Sequence, residues 1–207
     1  MAEEVKRDNL TDRELVEASL ADASAYAGLV ERYQSPLRRY VRRLGCRDAD
    51  DAEDILQEIF IKVYLNLNGF DRQLKFSSWI YRIAHNETVT FFRRAKIRPR
   101  TAVTEEEAIM IEQVSADLDI GRETDRKLEA ETIRTALDRL DDKYRQALTL
   151  KFLEEKSYQE ISDILEKPMG TVATLINRAK AKLKKELADR QAPAETVWEP
   201  TTDSPTA

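Results

Sequence analysis

Apolar residues recur along this chain at three- and four-residue intervals, the spacing that gathers them on one side of a helix. Thr11 followed by Glu14 is a capping-box pattern that opens a first helix over about residues 11–20. Tyr26, Leu29, Val30 and Tyr33 mark a second helix. Ser35-Pro36 reads as the N-cap and first turn of a third, with Leu37, Tyr40, Val41 and Leu44 on one face. After Gly45 an acidic stretch opens a long helix, in which Ile55, Ile59, Val63 and Leu67 follow at four-residue spacing while Leu56 and Phe60 widen the stripe. Asn68-Gly69 ends it. Ser77 or Ser78 starts the next helix, which turns Trp79, Ile80, Ile83 and Ala84 inward and runs to about Arg94; Pro99 closes the unit.

Residues 100–128 carry little periodicity beyond a short apolar patch at Ile109–Ile111, and read as an acidic linker. A smaller helical unit follows. Ile133, Leu137 and Leu140 mark one helix, and Tyr144, Ala147, Leu148 and Phe152 the next. Ser157 with Glu160 is a second capping box, for a short helix ending near Leu165. A tight turn over Lys167-Pro168-Met169-Gly170 leads to a last helix from Thr171, with Val172, Ile176, Ala179 and Leu183 on its buried face. The expected fold is all-α: two small helical domains, 10–99 and 129–190, joined by the acidic linker 100–128 and followed by a disordered Pro- and Thr-rich tail, 191–207.

Composition supports this pattern. Only five Gly and six Pro occur in 207 residues, no alternating β-branched run of strand length is present, and 35% of residues are charged. The single Cys46 cannot form an internal disulfide, which fits a reducing compartment and a structural thiol. The opening MAEEVKRDNL lacks an apolar core of signal-peptide length. No uncharged apolar run reaches the roughly 18 residues of a membrane span. A cytoplasmic protein with no membrane insertion is expected.

Charge changes the picture more. The net charge of −5 hides alternating blocks. Residues 48–58 are acidic, residues 71–100 carry a balance of +6, residues 104–131 a balance of −7, and residues 167–185 again +6. Two basic blocks suggest two contacts with nucleic acid, and the acid between them a separate use. A short helix, a turn containing Gly and a longer basic helix form the layout of a helix-turn-helix. Ile161 and Leu165 are expected to meet Val172 and Ile176 and so fix the angle between the two helices. Thr171, Ala173, Thr174, Asn177 and Arg178 then face a major groove, with Asn177 and Arg178 best able to read base edges. Lys180, Lys182, Lys184 and Lys185 suit phosphates. Catalytic parts are missing: the only histidine, His85, lacks neighbours at metal-ligand spacing, and no glycine loop for phosphate occurs. Asp50, Asp51 and Asp54 are better explained by a helix N-terminus than by a metal. No enzyme, cofactor or metal is expected.

Three stretches carry a family resemblance. Asp51-Ala-Glu-Asp-Ile-Leu-Gln-Glu-Ile-Phe60, Gly69-Phe70-Asp71 and Phe76-Ser-Ser-Trp-Ile-Tyr-Arg-Ile-Ala-His-Asn86 resemble region two of bacterial sigma factors. Leu140, Tyr158-Gln-Glu-Ile-Ser, Gly170-Thr-Val and Arg178-Ala-Lys-Ala-Lys-Leu183 resemble their region four. With no separate middle domain, the chain is similar to the extracytoplasmic-function group over roughly residues 10–187. The resemblance implies core RNA polymerase and promoter DNA as partners, and an anti-sigma factor as regulator. It implies that Asp54, Gln57 and Glu58 dock on polymerase, reinforced by Asp51 and Glu53. It implies that the helix bearing Phe76, Arg82, Arg93 and Arg94 opens the minus-ten element, with Phe70 and Asn86 forming a pocket for a flipped base and Lys75 and Arg82 holding phosphates. Trp79 is assigned to the core, since it shares a helical face with Ile83.

The helix from Thr171 would dock the minus-thirty-five element. There the chain departs from the family: Ala173 stands where a basic residue is common, and Leu175 where Arg is frequent. Either the contact rests more on Asn177, Arg178 and the preceding helix, or Leu175 faces a protein partner. The competing reading is an operator-binding regulator whose N-terminal helices dimerise or sense. It leaves the pairing of an acidic helix with an aromatic and basic one unexplained.

Overall fold

The structure of the chain, a computed structural model, describes residues 10–95 and 139–191, with side chains as far as Glu186. The expected linker, the helix expected around Ile133 and Leu137, the closing Pro99 and the C-terminal tail lie outside the described residues.

Helix α1 (Asp12–Ala21) opens as its sequence dictates: the Thr11 hydroxyl accepts the Glu14 N–H, and the Glu14 carboxylate accepts the Thr11 N–H at 2.7 Å. Helix α2 (Tyr26–Arg43) is a single 18-residue helix with Pro36 inside it, where a break into two helices was expected. Proline there forfeits one backbone bond. The continuous stripe of Leu29, Tyr33, Leu37, Tyr40 and Val41 is buried as one unit, and that packing outweighs the local signal. Helix α3 (Ala49–Asn66) starts at Asp48, whose carboxylate accepts the N–H groups of Asp50 and Asp51, and ends in a 3-10 turn, Leu67–Gly69. Helix α4 (Phe76–Ala95) begins a residue or two before the expected serines.

In the second half, α5 (Asp142–Leu148) runs into a π-helical turn, Thr149–Leu153. Helix α6 (Tyr158–Leu165) opens with the expected Ser157–Glu160 capping box and ends at Glu166 in the left-handed region, φ 52°. Helix α7 (Met169–Gln191) starts two residues earlier than expected, because the Pro168 carbonyl already accepts the N–H groups of Thr171 and Val172. Ile161 does meet Val172 and Ile176 in the core, but Ile164, not Leu165, is the second fully buried residue of α6. Among the described residues there is no strand.

The two halves are in contact. Helix α4 packs on α6, and one apolar cluster joins Leu37, Ile80 and Ala84 to Leu150, Ile161 and Val172. A smaller cluster holds α7 to α5 through Tyr144, Leu148, Ala179 and Leu183. Leu175 packs against both clusters.

Candidate functional site

Helix α3 presents an acidic edge. Asp54, Gln57 and Glu58 are exposed, while Asp51 and Glu53 are half-buried and Glu53 accepts from Arg38 at 2.8 Å. Their helical spacing places Asp54 and Glu58 one above the other. The same edge continues into residues the sequence reading had not singled out: Ile61 is 52% exposed, Leu65 70% and Tyr64 46%. Their signal was available, since Ile61 and Leu65 fall off the buried Ile55–Ile59–Val63 stripe and on the Asp54–Glu58 line.

Between α3 and α4 lies an open cavity of about 290 Å3. Lys62, Asn66 and Gly69 line one side; Trp79, Ile83, Asn86 and Glu87, one face of α4, line the other. A Cβ placed on Gly69 would meet nothing within 4 Å. Lys62 Nζ reaches Glu87 Oε2 at 2.6 Å. Asn86 is exposed at this cavity. Phe70 is not part of the lining; it packs at 5.0 Å on Trp79 and 5.4 Å on Phe76, bracing the wall from behind. Phe76 itself is 4% exposed, edge-on to Tyr33 at 5.5 Å, so its ring supports the surface and offers it no face. Trp79 is half-buried: partly in the core, as expected, and partly a cavity wall.

The basic groups of this half divide. Arg93 and Arg94 are exposed at the end of α4. Lys75 and Arg82, expected to hold phosphates, instead reach across to the second half, Lys75 to Glu160 at 3.1 Å and Arg82 Nη1 to Glu166 at 3.3 Å. Burial alone would raise the Glu160 carboxyl, but hydrogen bonds from the Ser157 hydroxyl and N–H and the charge of Lys75 pull it down to about 2. The firmest link between the halves is Glu154. Its carboxylate, 6% exposed, accepts from Arg43 Nη1 at 2.6 Å and from the Tyr81 hydroxyl at 2.8 Å. Lys156 lies 4.2 Å from the centre of the same Tyr81 ring. The π turn and Glu155, left-handed at φ 51°, aim this carboxylate at the first half. Nothing in the sequence pattern announced that turn.

On α7, Thr171, Thr174, Asn177 and Arg178 are exposed and Ala173 is half-exposed, one continuous face. The Thr174 hydroxyl donates to the Gly170 carbonyl at 2.9 Å and is thus used within the helix. Lys180 lies over Phe152 and Lys182 over Tyr144, where it also sits 3.6 Å from Asp141. Leu175 is half-buried and packs against both apolar clusters.

Two buried titratable groups, His85 and Cys46, belong to the packing of the first half. His85 is buried with Nδ1 3.1 Å from the Tyr40 hydroxyl, and burial aided by the charge of Lys167 lowers its pKa to about 4. Burial, with Asp51 and Asp48 nearby, pushes the Cys46 thiol up to about 11. Among the described residues no group of His, Cys, Asp and Glu could hold a metal ion, and no helix is long and apolar enough to cross a membrane.

Two family models match: sigma-70 region 2 over residues 29–97 and sigma-70 region 4 over residues 130–183. The chain is 38% identical to the ECF RNA polymerase sigma factor SigW of Bacillus subtilis over 174 residues, covering 81% of this chain and 91% of the relative. It is 34% identical to the ECF RNA polymerase sigma-E factor of Escherichia coli K12 over 178 residues, covering 84% and 92%. Among solved structures it is similar to CnrH in complex with the cytosolic domain of CnrY, with a TM-score of 0.62 and 25% identity, covering 87% of this chain and 99% of the other.

Proposed function

This chain belongs to the extracytoplasmic-function RNA polymerase sigma factors, and from that premise we propose how its surfaces divide the work of transcription initiation. The α3 edge is the dock for core RNA polymerase. Asp54, Gln57 and Glu58 supply exposed charge and amide, and Ile61 and Leu65 extend the dock with apolar area. The cavity between α3 and α4 receives a base extruded from the minus-ten element. Trp79 gives it an aromatic wall, Asn86 an exposed amide without a hydrogen-bond partner among the described residues, and Arg93 and Arg94 lie on the same helix for the backbone. The outer face of α7, with Asn177 and Arg178 at its centre, docks the minus-thirty-five element. The protein supplies no bond chemistry; it positions polymerase and stabilises separated strands. It works in the cytoplasm, and an anti-sigma factor is its expected regulator.

The observation that carries this reading is the coexistence, on the two sides of one helix pair, of an exposed acidic edge and a base-sized cavity. Reversing Asp54 and Glu58 to Lys is expected to lower affinity for core polymerase at least 100-fold with the helical content unchanged, since both side chains face solvent. Unaltered affinity in a core-binding titration would remove α3 from the interface.

A further inference from the structure

We propose that the free chain masks its own strand-binding face: the segment from Glu154 to Glu166 sits on the basic side of α4 with its carboxylates standing in for a DNA backbone, and Glu154 is the latch that holds it there. The proposal rests on the single-strand role given to α4 above and adds how that role is withheld.

Three observations converge. First, the cations that this face would offer to phosphates are already taken, and by acids of one short segment. Lys75 meets Glu160 at 3.1 Å and Arg82 Nη1 meets Glu166 at 3.3 Å. Glu160 lies in the first turn of α6 and Glu166 caps its end, so α6 runs along α4 with acid matched to base at both ends. Second, the contact has a buried anchor behind an exposed rim. Glu154 and Arg43 are almost wholly buried, 2.6 Å apart, and the buried Tyr81 donates its hydroxyl to the same carboxylate at 2.8 Å. Arg43 Nη1 also donates to the Leu153 carbonyl at 3.0 Å. Lys75 and Glu166, at the rim, are well exposed and within reach of a competing anion. Third, the backbone is shaped to make that anchor. The π-helical turn Thr149–Leu153 and the left-handed Glu155, φ 51°, are irregularities that a plain helical hairpin does not need, and together they turn Glu154 onto the first half.

To Lys and Arg, a carboxylate and a phosphodiester oxygen are alike: both are anionic acceptors, and they compete for the same N–H groups. Glu160 keeps its charge in this setting, its carboxyl held at about 2. With the latch closed, a strand reaching for Lys75 and Arg82 must displace two carboxylates tethered to the same chain, which act at high effective concentration. With the latch open, those acids leave with α6, and Arg43, which faces the same covered surface, joins the cations offered to the strand. The α3–α4 cavity and the outer face of α7 lie outside the contact, where Asn86, Asn177 and Arg178 are exposed. Masking therefore weakens the hold on single strands and leaves duplex binding by α7 untouched.

The test uses the full chain without polymerase. Short single-stranded DNA of random sequence is titrated by fluorescence anisotropy, and small-angle scattering follows the separation of the halves. Glu154→Gln is expected to raise the radius of gyration and tighten strand binding about tenfold, with a salt dependence steeper by about 0.7 for each cation released. Glu160→Gln with Glu166→Gln should tighten binding to a similar degree while the chain stays compact; Gln at 160 still serves the capping box. Glu31→Gln with Asp50→Asn removes the same charge from exposed positions elsewhere and should change binding less than about twofold. Duplex binding should move no further than in that control. A Glu154→Gln chain that stays as compact as wild type, or one that opens without gaining strand affinity, overturns the proposal. So does a rim variant that behaves like the control, and this variant alone decides if Glu154→Gln loses helical content. Lys75→Ala with Arg82→Ala in the holoenzyme separates this from failure of the underlying reading. Slower promoter opening there keeps the role of α4 even if masking falls; no effect there, with no gain in the latch variants, takes down both.

Discussion

His85, which lacks neighbours for metal or catalytic chemistry, is buried against Tyr40 and acts on stability through its protonation. In the folded chain it stays neutral down to a pH of about 4, while in the unfolded chain it takes up a proton near its ordinary 6.5. Between those values the unfolded state binds more protons, so stability rises with pH. The contribution is fully present above 6.5 and lost as pH falls toward 4, on the order of 3 kcal/mol. Denaturant titrations from pH 4 to 7 should show this slope in wild type and a much shallower one in His85→Gln. Glu160 acts in a lower window: its carboxyl, held at about 2 against an ordinary 4.5, withdraws its stabilisation only as pH drops below about 4.5. Asn86 belongs to the same scale with a functional readout. Asn86→Ala is expected to slow strand opening at a promoter, followed by permanganate reactivity, while closed-complex formation stays near wild type. Equal loss of both steps would contradict its place in the base pocket.

At the scale of elements, what was legible in the sequence is what is decided locally. Both capping boxes form as their spacing requires, because the bonds of Thr11 with Glu14 and of Ser157 with Glu160 span three residues and need no tertiary partner. Ser157→Ala should cost about 1 kcal/mol in thermal or chemical unfolding. The acidic edge of α3 and the outer face of α7 were legible for the same reason, since helical periodicity assigns faces without reference to other elements. Features set by packing were not. Pro36 signalled a break that the buried stripe of α2 overrides, and Phe76, placed by type among the DNA-facing aromatics, is consumed by the core. The cavity needs two helices and Gly69 at once, so Glu87 and Lys62 carried no signal as isolated letters. The apolar end of α3 gives a further prediction. Replacing Ile61 and Leu65 with Ser should weaken core binding about tenfold and leave the melting temperature within a few degrees, since neither contributes to the core. A collapse in melting temperature would show that the pair is structural.

Across the described residues the two halves touch: α6 covers part of α4, and Lys75 and Arg82 pair with carboxylates of the other half. Each of those two pairs has one well-exposed partner, Lys75 and Glu166, and is therefore weak, on the order of 0–1 kcal/mol. The Arg43–Glu154 pair is different, with side chains only 12% and 6% exposed, and holds the halves together more firmly. Glu154→Ala should lower energy transfer between dyes on cysteines introduced at the exposed Asn68 and Gln159, whereas Glu166→Ala should change it little. Cys46, buried and with its thiol pushed up to about 11, should escape labelling at neutral pH. The central claim concerns what the protein does with polymerase, and run-off transcription from a pool of random promoters tests it most directly. Core RNA polymerase with this protein should initiate at templates sharing a two-part motif, and core alone at none of them. Duplex binding by the protein without any protein-dependent initiation would contradict the account.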